Sequence, residues 1–148
     1  MQEEHYIQLA LKCAHKASDI GEVPVGAVVV YEDKVIAQGW NQPISTNDPT
    51  AHAEIVAMRN AAKELGNYRL TNSTLYVTLE PCTMCVGAII HARIGRLVFG
   101  AYDPKVGAVE SQLSLLSSTH FNHTLEFVGG VLKGECSECL TDFFKGPI

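Results

Sequence analysis

Two β-branched runs, "VGAVVVY" (25–31) and "KVIAQGW" (34–40), are separated only by Glu32 and Asp33. So short a connection joins antiparallel strands, and the pair predicts a hairpin. The next strand-like runs stand much farther apart. "TLYVTLEP" (74–81) and "RLVFGAY" (96–102) flank "CTMCVGAIIHARI", which reads as a helix, so their connection implies a parallel crossover. A hairpin that continues into parallel strands requires a mixed sheet with helices laid on it.

The rest of the chain supplies those helices. Tyr6, Leu9, Ala10, Cys13 and Ala17 recur at helical spacing ahead of Gly21. "AHAEIVAMRNAAKELG" (51–66) is dense in helix formers and stops at Gly66. A short helix near Glu110 to Leu116, a strand "TLEFVG" and a last helix "GECSECLTDFFK" complete the order, whereas "NQPISTNDPT" (41–50) and "DPKVGAVES" (103–111) read as loops. With 148 residues, 47% hydrophobic and 18% charged, and no repeat or linker, the expectation is a single domain over 1–148.

No apolar run has the length of a membrane span, and "MQEEHYIQLALKCAHKA" is unlike a signal peptide, so a cytoplasmic protein is expected. Five cysteines in a chain able to build a core argue against a disulfide framework and for metal or redox use of the paired ones. The net charge of -5 disfavours a general nucleic-acid binder. From Arg59 to Lys105, however, six bases (Arg59, Lys63, Arg69, Arg93, Arg96, Lys105) face three acids (Glu64, Glu80, Asp103), which allows a local positive surface; solvated helix faces are the plainer use.

Cys82 and Cys85 follow Pro81, a residue suited to a helix start. Cysteines three apart on a first turn can share one ion, and the free N–H groups there favour thiolate. Alone, the pair fits a redox couple, half of a zinc clip or coincidence. His52 and Glu54 stand at the start of another helix, directly after a loop. Singly, each reads as a cap or a solvated side chain. If that helix points its N-terminal end at the cysteines, His52 becomes a third ligand and Glu54 lies beside the metal, off it. Three protein ligands leave a position for water, the pattern of catalytic zinc, while a structural site would need a fourth from Cys13 or His91 and gives Glu54 no task. Cys136 and Cys139, with His120 and His123 upstream, can be drawn as a second site, but on an amphipathic helix packing is the favoured use.

The set His52-Ala53-Glu54 with Pro81-Cys82-Thr83-Met84-Cys85 resembles the H-x-E and P-C-x-x-C signature of zinc-dependent nucleoside and nucleobase deaminases. "GWNQPISTNDPTAHAE", "NYRLTNSTLYVTLEPCTMC", "IHARIGRLVFGAYDPKVGA" and "DFF" resemble the bacterial tRNA-specific adenosine deaminases over nearly the whole chain. That resemblance implies a three-layer α/β/α cytidine-deaminase-like fold with a five-stranded mixed sheet. It also implies a homodimer, one Zn2+ per subunit, and conversion of the wobble adenosine in a tRNA anticodon stem-loop (tRNA-Arg type) to inosine. His52, Cys82 and Cys85 would hold the zinc and Glu54 would move the protons. Asn41 would hydrogen-bond the flipped nucleoside, its plainer use being a turn residue. Asp103 and Lys105 would line the RNA path, or serve as ordinary turn residues. Phe144 would touch a neighbouring nucleotide, with core packing as its alternative. Where many relatives carry a basic extension this sequence reads "DFFKGPI", so more of the RNA binding is expected to fall to the central basic stretch and the dimer. Two rival functions share these residues: deamination of a free base or nucleoside such as guanine or cytidine, and a non-catalytic zinc or RNA-binding module.

Overall fold

The computed structural model describes residues 2–117 and 125–145. Helix α1 (Gln2–Asp19) leads into the hairpin β1 (Gly26–Tyr31) and β2 (Lys34–Trp40), closed by Glu32 and Asp33 at φ 50° and 62°. Two successive left-handed residues match the twist of the flanking strands. The Tyr6 hydroxyl donates to the Asp33 carbonyl at 3.3 Å and ties the turn to α1. A four-residue helix α2 (Pro43–Thr46) interrupts the connection expected to be all loop, and α3 (Ala53–Leu65) follows, ended by Gly66 at φ 65°.

Strand β3 (Thr74–Leu79), helix α4 (Thr83–His91) and strand β4 (Arg96–Ala101) form the expected crossover, then β5 (Glu126–Val128) and α5 (Lys133–Lys145). The sheet order is β2-β1-β3-β4-β5, antiparallel through the first three strands and parallel through the last three. Alternate residues feed two cores. Ala27, Val29, Leu75, Val77, Leu97 and Phe99 belong to the core that includes residues of α3 and α4. Val28, Val30, Tyr76 and Val98 pack with Tyr6, Ile7 and Leu11 of α1 and Cys136 of α5. The architecture is therefore the expected three-layer α/β/α sandwich.

The helix expected near Glu110 to Leu116 is absent; only a short 3-10 turn, Leu115–Ser117, forms. The N–H groups of Val109, Glu110 and Ser111 turn instead to the Glu80 carboxylate, at 3.0, 2.7 and 2.9 Å. These N–H groups form a nest around the carboxylate, and the N–H groups of Gln112 and Leu113 both turn back to the Gly107 carbonyl, at 2.8 and 3.2 Å, so the segment closes as turns. Several of the six central bases are engaged with local partners or stand apart. Arg96 starts β4 and pairs with Glu3 at 3.2 Å, whereas Lys105 lies past that strand's far end. Six strand residues span about 20 Å. Arg59 pairs with Asp48 at 3.2 Å, and Arg69 lies over the Tyr68 ring, 5.6 Å from its centroid.

Candidate active site

The site forms where α3 and α4 begin, beside the C-terminal ends of β3 and β4, the edge at which open α/β sheets bind ligands. Helix α3 reaches this position by lying directly on β2. A Cβ on Gly39 would stand 2.5 Å from the Ala57 nitrogen and 2.6 Å from the Ala53 carbonyl oxygen, so only glycine lets the two backbones approach. Loop 41–50 is fastened to the same helix start: Asn41 Oδ1 accepts the N–H of Ala53 at 2.8 Å, and the Gln42 N–H donates to the Ala51 carbonyl at 2.9 Å.

His52 is the N-cap residue of α3 and Cys82 that of α4; Pro81 stands one residue ahead of that N-cap, outside the helix it was expected to start. His52 Nδ1 lies 3.6 Å from Cys82 Sγ and 3.5 Å from Cys85 Sγ. Each residue offers one ligand atom, and these atoms all lie within 4.8 Å of one another. The hydrogen bond from Cys85, helped by His52, pulls the Cys82 thiol down to about 4 against the opposing effect of burial. The Cys85 thiol is pushed up by that same bond and by burial, and His52 is raised by its bond to Cys82. Two sulfurs this close remain one thiolate and one thiol unless a cation lies between them, and two sulfurs with one imidazole suit zinc. The donor set thus fits a zinc ion held by His52, Cys82 and Cys85. Cys13 packs in the other core, and no fourth donor joins the group among the described residues.

Glu54 lies in the first turn of α3 with only 4% of its surface exposed. Burial raises its carboxyl to about 7, against the pull of its own backbone N–H and of the nearby His52. It lines the same pocket of about 240 Å³ as His52 and Cys82, together with Asn41, Asp103 and Val106. A buried carboxyl within reach of the three converged donors is placed to accept and return protons.

A groove of about 510 Å³ shares Val23, Leu79 and Asp103 with this pocket and runs past Tyr102 and Lys105 to Phe144. Phe144 is 69% exposed, so the core-packing alternative does not hold for it. Asp103 Oδ1 accepts the N–H groups of Lys105 (3.0 Å) and Val106 (3.2 Å), a turn-forming role compatible with its place on the pocket wall. Cys136 is buried against β4 near Gly100, in keeping with packing, and Cys139 is partly buried beside that core. His120 and His123 lie outside the described residues.

Two buried carboxylates escaped the sequence reading. Glu22 accepts the N–H groups of Ile44 (3.4 Å) and Ser45 (2.7 Å) in the first turn of α2. Glu80 gathers loop 103–111 as described above. In the sequence each is an acid embedded among apolar residues, "GEVPVGA" and "TLYVTLEPC", the one signal that could have singled them out.

Residues 1–101 match the family model described as cytidine and deoxycytidylate deaminase zinc-binding region, and the chain belongs to that family. Within it, the chain falls among the tRNA-specific adenosine deaminases. It is 56% identical to the tRNA-specific adenosine deaminase of Haemophilus influenzae, over 97% of this chain and 83% of that one. The corresponding protein of Bacillus subtilis is 46% identical over 97% of this chain and 89% of its own. A solved structure from studies of A-to-I editing by tRNA:A34 deaminases superposes with a TM-score of 0.89 at 48% identity, covering 92% of this chain and 99% of that one.

Proposed function

We propose that the chain is a zinc-dependent hydrolase that converts the wobble adenosine of a tRNA anticodon to inosine, releasing ammonia. The observation that carries this reading is the buried Glu54 carboxyl beside the three converged donors, in a chain whose relatives are tRNA-specific adenosine deaminases. Zinc held by His52, Cys82 and Cys85 would polarise a water and lower its pKa from 15.7 to about 7.

Glu54 takes one proton from that water and delivers it to N1 of adenine, making C6 more electrophilic. The second water proton travels through Glu54 to the exocyclic nitrogen, the C6–N bond breaks, and ammonia leaves as C6 keeps the water's oxygen. Asn41 orients the base. Its carboxamide oxygen is engaged with Ala53, so its NH2 group is what it offers to a purine acceptor. Asp103 and Val106 bound the pocket, while Lys105 and the exposed Phe144 ring meet the RNA along the adjoining groove, one through phosphate and the other through an unstacked base. Of the central bases, Lys105 is the one this reading places on the RNA, because it lines the groove.

The same reading includes a homodimer and a cytoplasmic location. An apolar groove of about 330 Å³ across α3 and α4, lined by Ile55, Met58, Ala62, Tyr68 and Ala88, supports the pairing with a second copy. Light scattering at micromolar concentration should give twice the 16.1 kDa chain mass, and the chain mass itself would refute the dimer. Among the described residues no helix is long and apolar enough to cross a membrane.

The substrate is tested by offering the protein an anticodon stem-loop with adenosine at the wobble position, and separately guanine, cytidine and adenosine. Inosine in the stem-loop with the small molecules untouched is the expected result. Consumption of guanine or cytidine with the stem-loop unchanged assigns the site to free bases or nucleosides instead.

A further inference from the structure

Glu80 has no part in the chemistry above, yet its carboxylate is 2% exposed and fully engaged by a distant loop. Oε2 accepts the successive N–H groups of Val109, Glu110 and Ser111, and Oε1 accepts the N–H of Asp103 at 3.0 Å and the hydroxyl of Ser111. The Ala108 N–H adds a bond of 2.9 Å to the Pro81 carbonyl. A Cβ on Gly107 would lie 2.4 Å from Glu80 Cδ, so the loop closes tightly over the carboxylate. Both ends of this clamp border the pocket: Glu80 lines it and leads through Pro81 into the ligand Cys82, while the loop brings Asp103 and Val106 to its wall and Lys105 to the groove.

We propose that Glu80 is a positioning residue that fixes loop 103–111 over the substrate pocket and thereby sets how tightly the RNA is held. The inference rests on the functional reading given above. Successive N–H groups converging on one oxygen form an anion nest, and a carboxylate supplies both the charge and the two acceptor oxygens that this loop needs. Glutamine has the same shape but a single acceptor. Keeping that oxygen in the nest turns its NH2 group toward the Asp103 N–H, while the Ser111 hydroxyl can rotate to accept. Glu80→Gln therefore frees the Asp103 end of the loop and spares the end at 109–111. Gly107→Ala displaces the same loop with Glu80 intact.

Both variants are compared with the wild type for zinc content, steady-state deamination of the anticodon stem-loop, and hydrogen exchange over 103–111. The loss of one charge-assisted bond predicts a KM raised about tenfold or more, with kcat within about threefold, zinc at one per chain and faster exchange at the Asp103 end. A lower melting temperature with unchanged KM would make Glu80 a stabilising residue only and overturn the inference, as would a fall in kcat at constant KM. Should Glu80→Gln lose zinc, Gly107→Ala decides: a raised KM with zinc retained supports the clamp, and an unchanged KM refutes it. A wild type that forms no inosine would instead sink the functional reading, and the role of Glu80 with it; a wild type that does, beside two variants of normal KM, leaves the function standing and removes the clamp.

Discussion

Asn41 Oδ1 and the backbone nitrogen of Ala53 are 2.8 Å apart, which fastens loop 41–50 to the residue between His52 and Glu54. The bond makes Asn41 an acceptor that anchors α3, and under the proposed function its NH2 group is a donor for the base. Asn41→Asp keeps the acceptor and should hold the melting temperature while kcat/KM on the stem-loop falls about tenfold, the scale of one lost hydrogen bond. Asn41→Ala loses both, adding a stability loss of about 1 kcal/mol, roughly 3 °C in Tm. Thermal melts and initial rates check the pair. Equal activity of Asn41→Asp and wild type would remove Asn41 from the substrate.

Gly39 is where β2 and α3 touch through their backbones, and neither Ala53 nor Ala57 has a flexible atom at the contact with which to yield. Gly39→Ala should cost about 1–3 kcal/mol, as overpacking does, and weaken zinc retention because the start of α3 carries His52. A Cβ added to Gly87, inside α4, would meet nothing within 4 Å, so Gly87→Ala should stabilise by about 0.5–1 kcal/mol. Urea denaturation and zinc analysis of both variants check the contrast.

Cys136 has its thiol pushed up to about 12, chiefly by burial, with Cys139 and Glu135 adding to it. At pH 8.5 it should resist iodoacetamide in the native protein and react once the chain is unfolded. The folded pKa lies above the unfolded one, so this group's contribution is fully present below about pH 8.5 and is lost as the pH rises toward 12. Cys136→Ala should flatten stability across that alkaline window while lowering it overall through the cavity left behind. Peptide mapping and melts at several pH values are the measurements.

The sheet was legible because its determinants are local. Glu32 and Asp33 leave room for nothing but a tight hairpin, and a helix-length segment between the β3 and β4 runs dictates the crossover. The metal site was legible for a related reason: His52 and the cysteines each sit at a helix start, where spacing and chemistry are visible together. Glu22 and Glu80 were not, because their partners are backbone N–H groups far along the chain, about which side-chain identity says nothing. The segment expected as a helix over 110–116 was misread for a related reason, since nothing in its own residues shows that a carboxylate some 30 positions earlier gathers the backbone of 109–111. The basic stretch shows the limit of adjacency in sequence, since Arg96 starts β4 and Lys105 lies beyond its far end.

The central claim is that Glu54 moves protons beside a zinc ion it does not bind. The direct measurement is inosine formation in an anticodon stem-loop, with zinc content determined on the same preparations of wild type, Glu54→Ala and Cys82→Ser. The account predicts one zinc per chain and activity in the wild type, full zinc with activity lowered by about 10²–10⁴ in Glu54→Ala, and loss of both in Cys82→Ser. A Glu54→Ala protein that retains zinc and edits at the wild-type rate would contradict it.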